Sequence, residues 1–156
     1  MMILIVCTDD PELEHVARET LRRYPGIYGA TYKIFHSQLR ELRKDEDLFI
    51  ISHGAFQGDN DRPVIGDKEK AFYLNGDALY LNIKEIIPEN YKGNVYIDAC
   101  ESADSTEDLL SFAETFYLDF HADHQASKVL GITGVSNGLI PLPDDSKWIN
   151  VDLENS

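Results

Sequence analysis

The sequence is poor in cysteine, with only Cys7 and Cys100 in 156 residues. Two thiols form at most one bridge, which excludes the dense disulfide framework of small secreted scaffolds and leads us to expect a reducing, cytoplasmic setting. Basic residues are scarce too, 14 against 28 acidic ones for a formal net charge of −14. Such a surface repels phosphate backbones and anionic membranes, so neither nucleic acid nor membrane is expected as a partner. Long apolar runs are missing as well. Residues 2–7 are apolar but meet Asp9 and Asp10 at once. They carry no basic leader and fall far short of the ~20 residues of a membrane span, so they read as a buried strand. No internal repeat, low-complexity tract or linker interrupts the chain, and one domain over 1–156 is expected.

What remains is an ordinary globular composition, 43% hydrophobic with 10% aromatic. A chain of this length buries roughly 68–70% of its unfolded surface, enough for one good core. Five apolar, β-rich runs stand out at 2–7, 31–35, 48–52, 94–98 and 129–133. They lack polar alternation, as expected for strands of a parallel sheet covered on both faces. Helical patterns fall between them at 11–23, 37–43, 82–87 and 105–124. The order implies a doubly wound α/β domain.

Local signals set boundaries. Asp9 or Asp10 can cap the first helix, with Pro11 in its first turn, and Tyr24-Pro25-Gly26 stops it. Asp104-Ser105-Thr106-Glu107 has capping-box spacing. Residues 55–77, rich in Gly, Asn and Asp, read as an excursion or hairpin beyond the sheet edge. Residues 146–153 read as a further strand.

In an open α/β sheet, sites form beyond the carboxyl ends of the strands. Two such ends carry reactive groups. Leu48-Phe49-Ile50-Ile51-Ser52 leads into His53-Gly54, and Val95-Tyr96-Ile97-Asp98-Ala99 leads into Cys100. A thiol, with a reference pKa near 8.5, needs a base or a positive neighbour to act as a nucleophile at neutral pH, and His53 can supply the base. The N–H groups of Gly54 and Cys100 can serve as an oxyanion hole. Taken singly, a cysteine at a strand end is usually a small buried hydrophobe and a lone histidine is usually structural. Their pairing at two strand ends points to catalysis.

Phe49-Ile50-Ile51-Ser52-His53-Gly54 and Val95-Tyr96-Ile97-Asp98-Ala99-Cys100-Glu101-Ser102-Ala103 resemble the paired catalytic motifs of the caspase-like (clan CD) cysteine peptidases, among them metacaspases, clostripain-like enzymes and the CHAT group. The resemblance runs to about Thr133. It implies a caspase-like, mostly parallel sheet flanked by helices, an αβα sandwich, with the His strand between the first strand and the Cys strand. Cys7 would then lie beyond disulfide range of Cys100. It also implies a cysteine endopeptidase acting through a His53–Cys100 dyad on a protein or peptide substrate. Asp98, two positions before the nucleophile, would form an acidic specificity pocket for Arg or Lys. Ser136 and Asn137 lie in the cleft loop that would complete substrate binding. Glu101 stands where metacaspases often carry His, and with Asp98, Asp104 and Glu107 it surrounds the thiol with negative charge, which opposes the thiolate.

The alternative is a catalytically silent caspase-like domain that binds or regulates a protein partner, since fold alone never guarantees activity. A protease awaiting an activating protein or ligand is a third reading. No residue is assigned to a metal and no cofactor is expected. The acidic stretch Asp59-Asn60-Asp61 with Asp67 offers at most a calcium site, its spacing unlike an EF-hand. Arg62, Lys68 and Lys70 beside it would suit self-processing. His121-Ala122-Asp123-His124 reads as a solvated helix end, and His15 and His36 carry no chemistry. Asp9 and Asp10 resemble the acidic start of a receiver domain, but Ser52-His53 stands where its phosphoacceptor Asp belongs, which rejects that reading.

Overall fold

The computed structural model describes residues 1–6, 10–34, 38–59, 62–66, 73–105, 109–134 and 140–151. Its centre is a six-stranded sheet built from β1 (Met2–Ile5), β2 (Thr31–Lys33), β3 (Leu48–Ile51), β7 (Val95–Asp98), β8 (Val129–Ile132) and β9 (Trp148–Val151), in the order β2-β1-β3-β7-β8-β9. All neighbours run parallel except β9, which pairs antiparallel with β8. The excursion after β3 forms a separate antiparallel sheet of β4 (His53–Asp59), β5 (Arg62–Gly66) and β6 (Tyr73–Asn75). The α/β class, the five sheet strands and the placement of the His strand between β1 and the Cys strand follow the expectation.

Both faces of the central sheet are covered, which is why its strands lack polar alternation. On one face, Ile3, Ile5, Phe49, Ile51 and Tyr96 pack with Leu13 and Ala17 of α1 (Pro11–Arg23) and with Trp148. Phe49 stacks on Tyr96 at 4.5 Å between centroids and meets Tyr28 edge-on at 5.0 Å. On the other face, Leu4, Leu48, Ile50, Val95 and Ile97 pack against Leu79 and Ile83 of α2 (Gly76–Ile83) and Phe112, Phe116 and Phe120 of α3 (Phe112–Asp123). The result is helix on sheet on helix, compatible with an αβα sandwich.

Three helix expectations need correction. Residues 38–43 form no helix. Leu42 is buried, its N–H donates to Ile86 O at 2.8 Å, and Arg40 turns to Glu46, so tertiary partners override a segment too short to sustain a helix alone. The helix expected at 82–87 begins earlier, at Gly76 behind an Asn75 cap, and ends in a 3₁₀ turn at Lys84–Ile86. The helix expected from Ser105 begins at Phe112, where Ser111 and Glu114 form the capping box assigned to Asp104 and Glu107. A capping box needs only a short pattern, and the later one also buries three phenylalanines.

The 38–47 segment is pinned by a fork. Arg40 Nη1 and Nη2 donate to the two oxygens of Glu46 at 2.7 and 2.5 Å. Hydrogen bonding to Arg40, set against burial, holds the Glu46 carboxyl down at about 2 from its ordinary 4.5. A carboxyl depressed in the fold contributes stability that is complete above the unfolded value and is lost as pH falls toward the folded one. Urea unfolding followed by Trp148 fluorescence should therefore show stability falling between pH 4.5 and about 2. Because the guanidinium is partly exposed, this pair's share should be on the order of 1 kcal/mol, and Glu46→Gln should remove that share of the pH dependence.

Candidate active site

The ends of β1, β3 and β7 lie level. Ile5 pairs with Ile51, and Ile51 with Asp98. Val6 N donates to Ile51 O at 3.1 Å and Ser52 N to Asp98 O at 3.3 Å, carrying the ladder one step further. His53 and Cys100 each stand two residues beyond that row, past the ends of the neighbouring strands β3 and β7, with His53 already paired with Gly66 in the small sheet. The contact is close: a Cβ added to Gly54 would fall 2.8 Å from both Cβ and the carbonyl O of Cys100. Only glycine lets the segment after β3 lie this near the Cys100 backbone. Ser52 Oγ, donating to Gly66 O at 3.0 Å, ties that segment to the small sheet.

Cys100 is a partly exposed thiol, not a disulfide. It opens a tight turn in which Glu101 adopts φ 61°, a left-handed conformation that costs a non-glycine residue roughly 1–2 kcal/mol. The surroundings hold the turn in place. Glu101 N donates to Gly134 O at 2.7 Å, Ala103 N to Ile132 O at 2.9 Å and Ala113 N to Ser102 O at 2.8 Å. Asp104 accepts from Gly134 N through its carboxylate. Ser102, fully buried, donates from Oγ to Ile97 O at 2.9 Å and accepts from Ile132 N at 2.9 Å, joining β7, the turn and β8. Ser102→Ala would leave a buried N–H and a buried carbonyl without these partners. We expect a loss of about 2–4 kcal/mol in urea unfolding, since each unsatisfied buried group costs roughly 1–3 kcal/mol.

His53 is three-quarters buried, and its Nε2 faces the start of α1. Nε2 lies 2.7 Å from Asp10 Oδ2 and 3.4 Å from Glu12 Oε2. Asp10 is the N-cap of α1: its Oδ1 accepts from the N–H groups of Glu12 and Leu13 at 3.0 and 3.3 Å, which fixes the carboxylate and turns Oδ2 toward the imidazole. Nε2 is buried but forms no hydrogen bond of acceptable alignment among the described residues, so the Asp10 contact is one of charge and proximity. A carboxylate so placed limits how the imidazole can turn.

The other expected site residues are distributed unevenly. Asp98 is at the end of β7 and only 5% exposed; burial first, then Tyr24 and then the Asp98 charge push the Tyr28 hydroxyl up and keep it protonated. Ser136, Asn137, Asn60, Asp61, Asp67, Lys68, Lys70, Cys7, Asp9, His36 and Glu107 lie outside the described residues. The second histidine of 121–124 corrects the solvated reading. His124 is buried, with its ring 6.1 Å from Tyr91 and 5.1 Å from Phe120, and burial pulls its pKa below the ordinary value. His121 stacks on Tyr117, and Asp123 accepts from the Tyr80 hydroxyl at 2.5 Å.

The sequence reading treats Asp10 as a helix cap alone and assigns Glu12 no role. The available signal is topological. Once β1 adjoins β3, the loop after β1 must open on the same edge as His53. Compared with protein-family models, curated proteins and solved structures, the chain matches none of them.

Proposed function

We propose that the chain is a cysteine endopeptidase of caspase-like type, with Cys100 as nucleophile and His53 as general base. The observation that carries the reading is the close approach of the His53-Gly54 segment to Cys100 at the level ends of two parallel strands, with 2.8 Å left for a Cβ. In the proposed cycle, His53 takes the thiol proton and Cys100 Sγ attacks the scissile carbonyl. The N–H groups of Gly54 and Cys100 receive the oxyanion. His53 returns the proton to the leaving amine, and water then hydrolyses the thioester. Asp10 positions His53 through the contact at 2.7 Å. The turn held at Glu101 and Ser102 keeps Cys100 aimed without reorganisation.

Cleavage after Arg or Lys is the specificity we propose. Asp98 at the strand end, with Glu101 and Asp104 close by in sequence, gives the edge a negative character suited to a cation, and a carboxylate–guanidinium pair supplies the directional contact.

Fluorogenic peptides ending in Arg, Lys, Asp or Leu, offered to the protein and to Cys100→Ala, test both parts. Hydrolysis of the Arg or Lys peptides, reduced at least about 10³-fold in the variant, is expected. Hydrolysis of none, or equal rates in the variant, would overturn the peptidase reading in favour of a binding domain. Preference for Asp or Leu would overturn the role of Asp98.

A further inference from the structure

Asp10, Glu12 and His53 each aim one ligand atom into the same space, and these three atoms lie within 4.8 Å of one another. We infer that they form a three-ligand site for a divalent ion of the zinc type, and that the ion switches off the site by capturing the imidazole of His53. The inhibitory consequence rests on the peptidase reading; the binding site itself does not.

Geometry supports a metal. With bonds of about 2.1 Å, two ligands of a tetrahedral zinc ion are about 3.4 Å apart. His53 Nε2 and Glu12 Oε2 already stand 3.4 Å apart. Nε2 and Asp10 Oδ2, at 2.7 Å, need to open by less than an ångström. Asp10 is held by two helix amides, so it offers a prepositioned oxygen, and Glu12 presents its carboxylate 3.4 Å from the imidazole on a side chain 61% exposed. His53 Nε2 is buried without an aligned hydrogen bond among the described residues, and an ion would give its lone pair a directed partner.

Ligand chemistry selects the metal. One imidazole nitrogen with two carboxylate oxygens suits zinc and its neighbours, whereas calcium and magnesium take oxygen ligands. Three protein ligands also leave a fourth position for water. The positive end of the α1 dipole opposes a cation by roughly 0.3–1 kcal/mol at most surface sites, little beside two carboxylates in direct contact. The consequence for catalysis follows from the imidazole alone. Once Nε2 donates its lone pair to a metal, the remaining ring proton sits on Nδ1, and no lone pair is left to accept the thiol proton.

The test uses the full chain carrying Cys100→Ala, so that the thiol is not a ligand. Zinc binding is measured by calorimetry and cobalt binding by visible absorption. One ion per chain is expected, with a cobalt spectrum of low coordination number, and affinity at least about tenfold weaker after Glu12→Gln and after His53→Gln. Both variants are checked by thermal melting, and the exposed Glu12 keeps the test valid if the His53 variant is unstable. Absence of binding, or affinity indifferent to Glu12→Gln, would overturn the site. So would a thiolate-to-cobalt band in the wild-type chain together with loss of binding in Cys100→Ala, since that places the ion on the thiol. Where the wild-type chain cleaves peptides, zinc should inhibit at the concentration at which it binds, and binding without inhibition would overturn the switch. Metal binding by a chain that cleaves nothing would support the site and remove the peptidase reading.

Discussion

Alanine at position 54 is expected to lower the rate of Arg- or Lys-peptide hydrolysis at least about 10²-fold while the chain still folds. The cause is one methyl group. Its carbon would lie 3.3 Å from Cα of Cys100 and only 2.8 Å from both its Cβ and its carbonyl O, and the two shorter separations are ones that something must shift to relieve. All three of these Cys100 atoms are backbone or Cβ, so no flexible side-chain end can yield instead. Either the segment after β3 or the turn after β7 must retreat, and a displacement near 1 Å at reacting groups costs about 10²-fold in rate. Overpacking of this kind also destabilises by roughly 1–3 kcal/mol. Measuring kcat and the urea midpoint together separates the two effects. A Gly54→Ala protein with full activity would show that the approach of these segments has nothing to do with catalysis.

Asp10→Asn is expected to reduce kcat by up to about 10⁴-fold with little change in KM, the loss seen when the carboxylate beside a catalytic histidine is neutralised. Asparagine keeps the helix cap, because its side-chain oxygen can still accept from Glu12 N and Leu13 N. It removes the negative charge 2.7 Å from His53 Nε2. The substitution thus isolates the effect on His53 from the effect on α1. Asp10→Ala should show the same kinetic loss plus about 1 kcal/mol of lost stability from the missing cap. If Asp10→Asn retains kcat while Asp10→Ala loses only stability, Asp10 is a cap and nothing more.

Much of the architecture is legible in the sequence because burial on both faces leaves an unambiguous mark. Runs such as Leu48-Phe49-Ile50-Ile51 and Val95-Tyr96-Ile97 have no polar alternation to misread, and the first helix carries both an acidic cap and a Pro-Gly stop. The helices that go astray are those whose ends are decided by tertiary partners. Arg40 abandons its helical pattern for Glu46, and Ser111 rather than Asp104 caps α3 because the buried phenylalanines begin there. Local patterns do not carry that information.

The site divides in the same way. His53 and Cys100 are visible because each ends an apolar strand, and the parallel register then brings them to one edge. Asp10 is hidden behind a sufficient local explanation, since capping a helix accounts for it completely until β1 is known to adjoin β3. Ser102 is hidden for the opposite reason. Its two buried hydrogen bonds reach Ile97 and Ile132, and no spacing rule links a serine to a strand thirty residues on. Glu101, read from the sequence only as a negative charge, turns out to be the residue that takes the left-handed bend.

If His53 and Cys100 act as one catalytic unit, the reactivity of the thiol depends on the imidazole. Labelling by a peptidyl acyloxymethyl ketone ending in Arg, which alkylates a cysteine only when the thiol is activated and the peptide is correctly seated, followed by mass spectrometry of the intact chain, reads that dependence. A single adduct on Cys100, absent in His53→Ala although iodoacetamide still reaches the thiol, is expected. Labelling unchanged in His53→Ala, or no labelling of a wild-type thiol that iodoacetamide modifies freely, would contradict it.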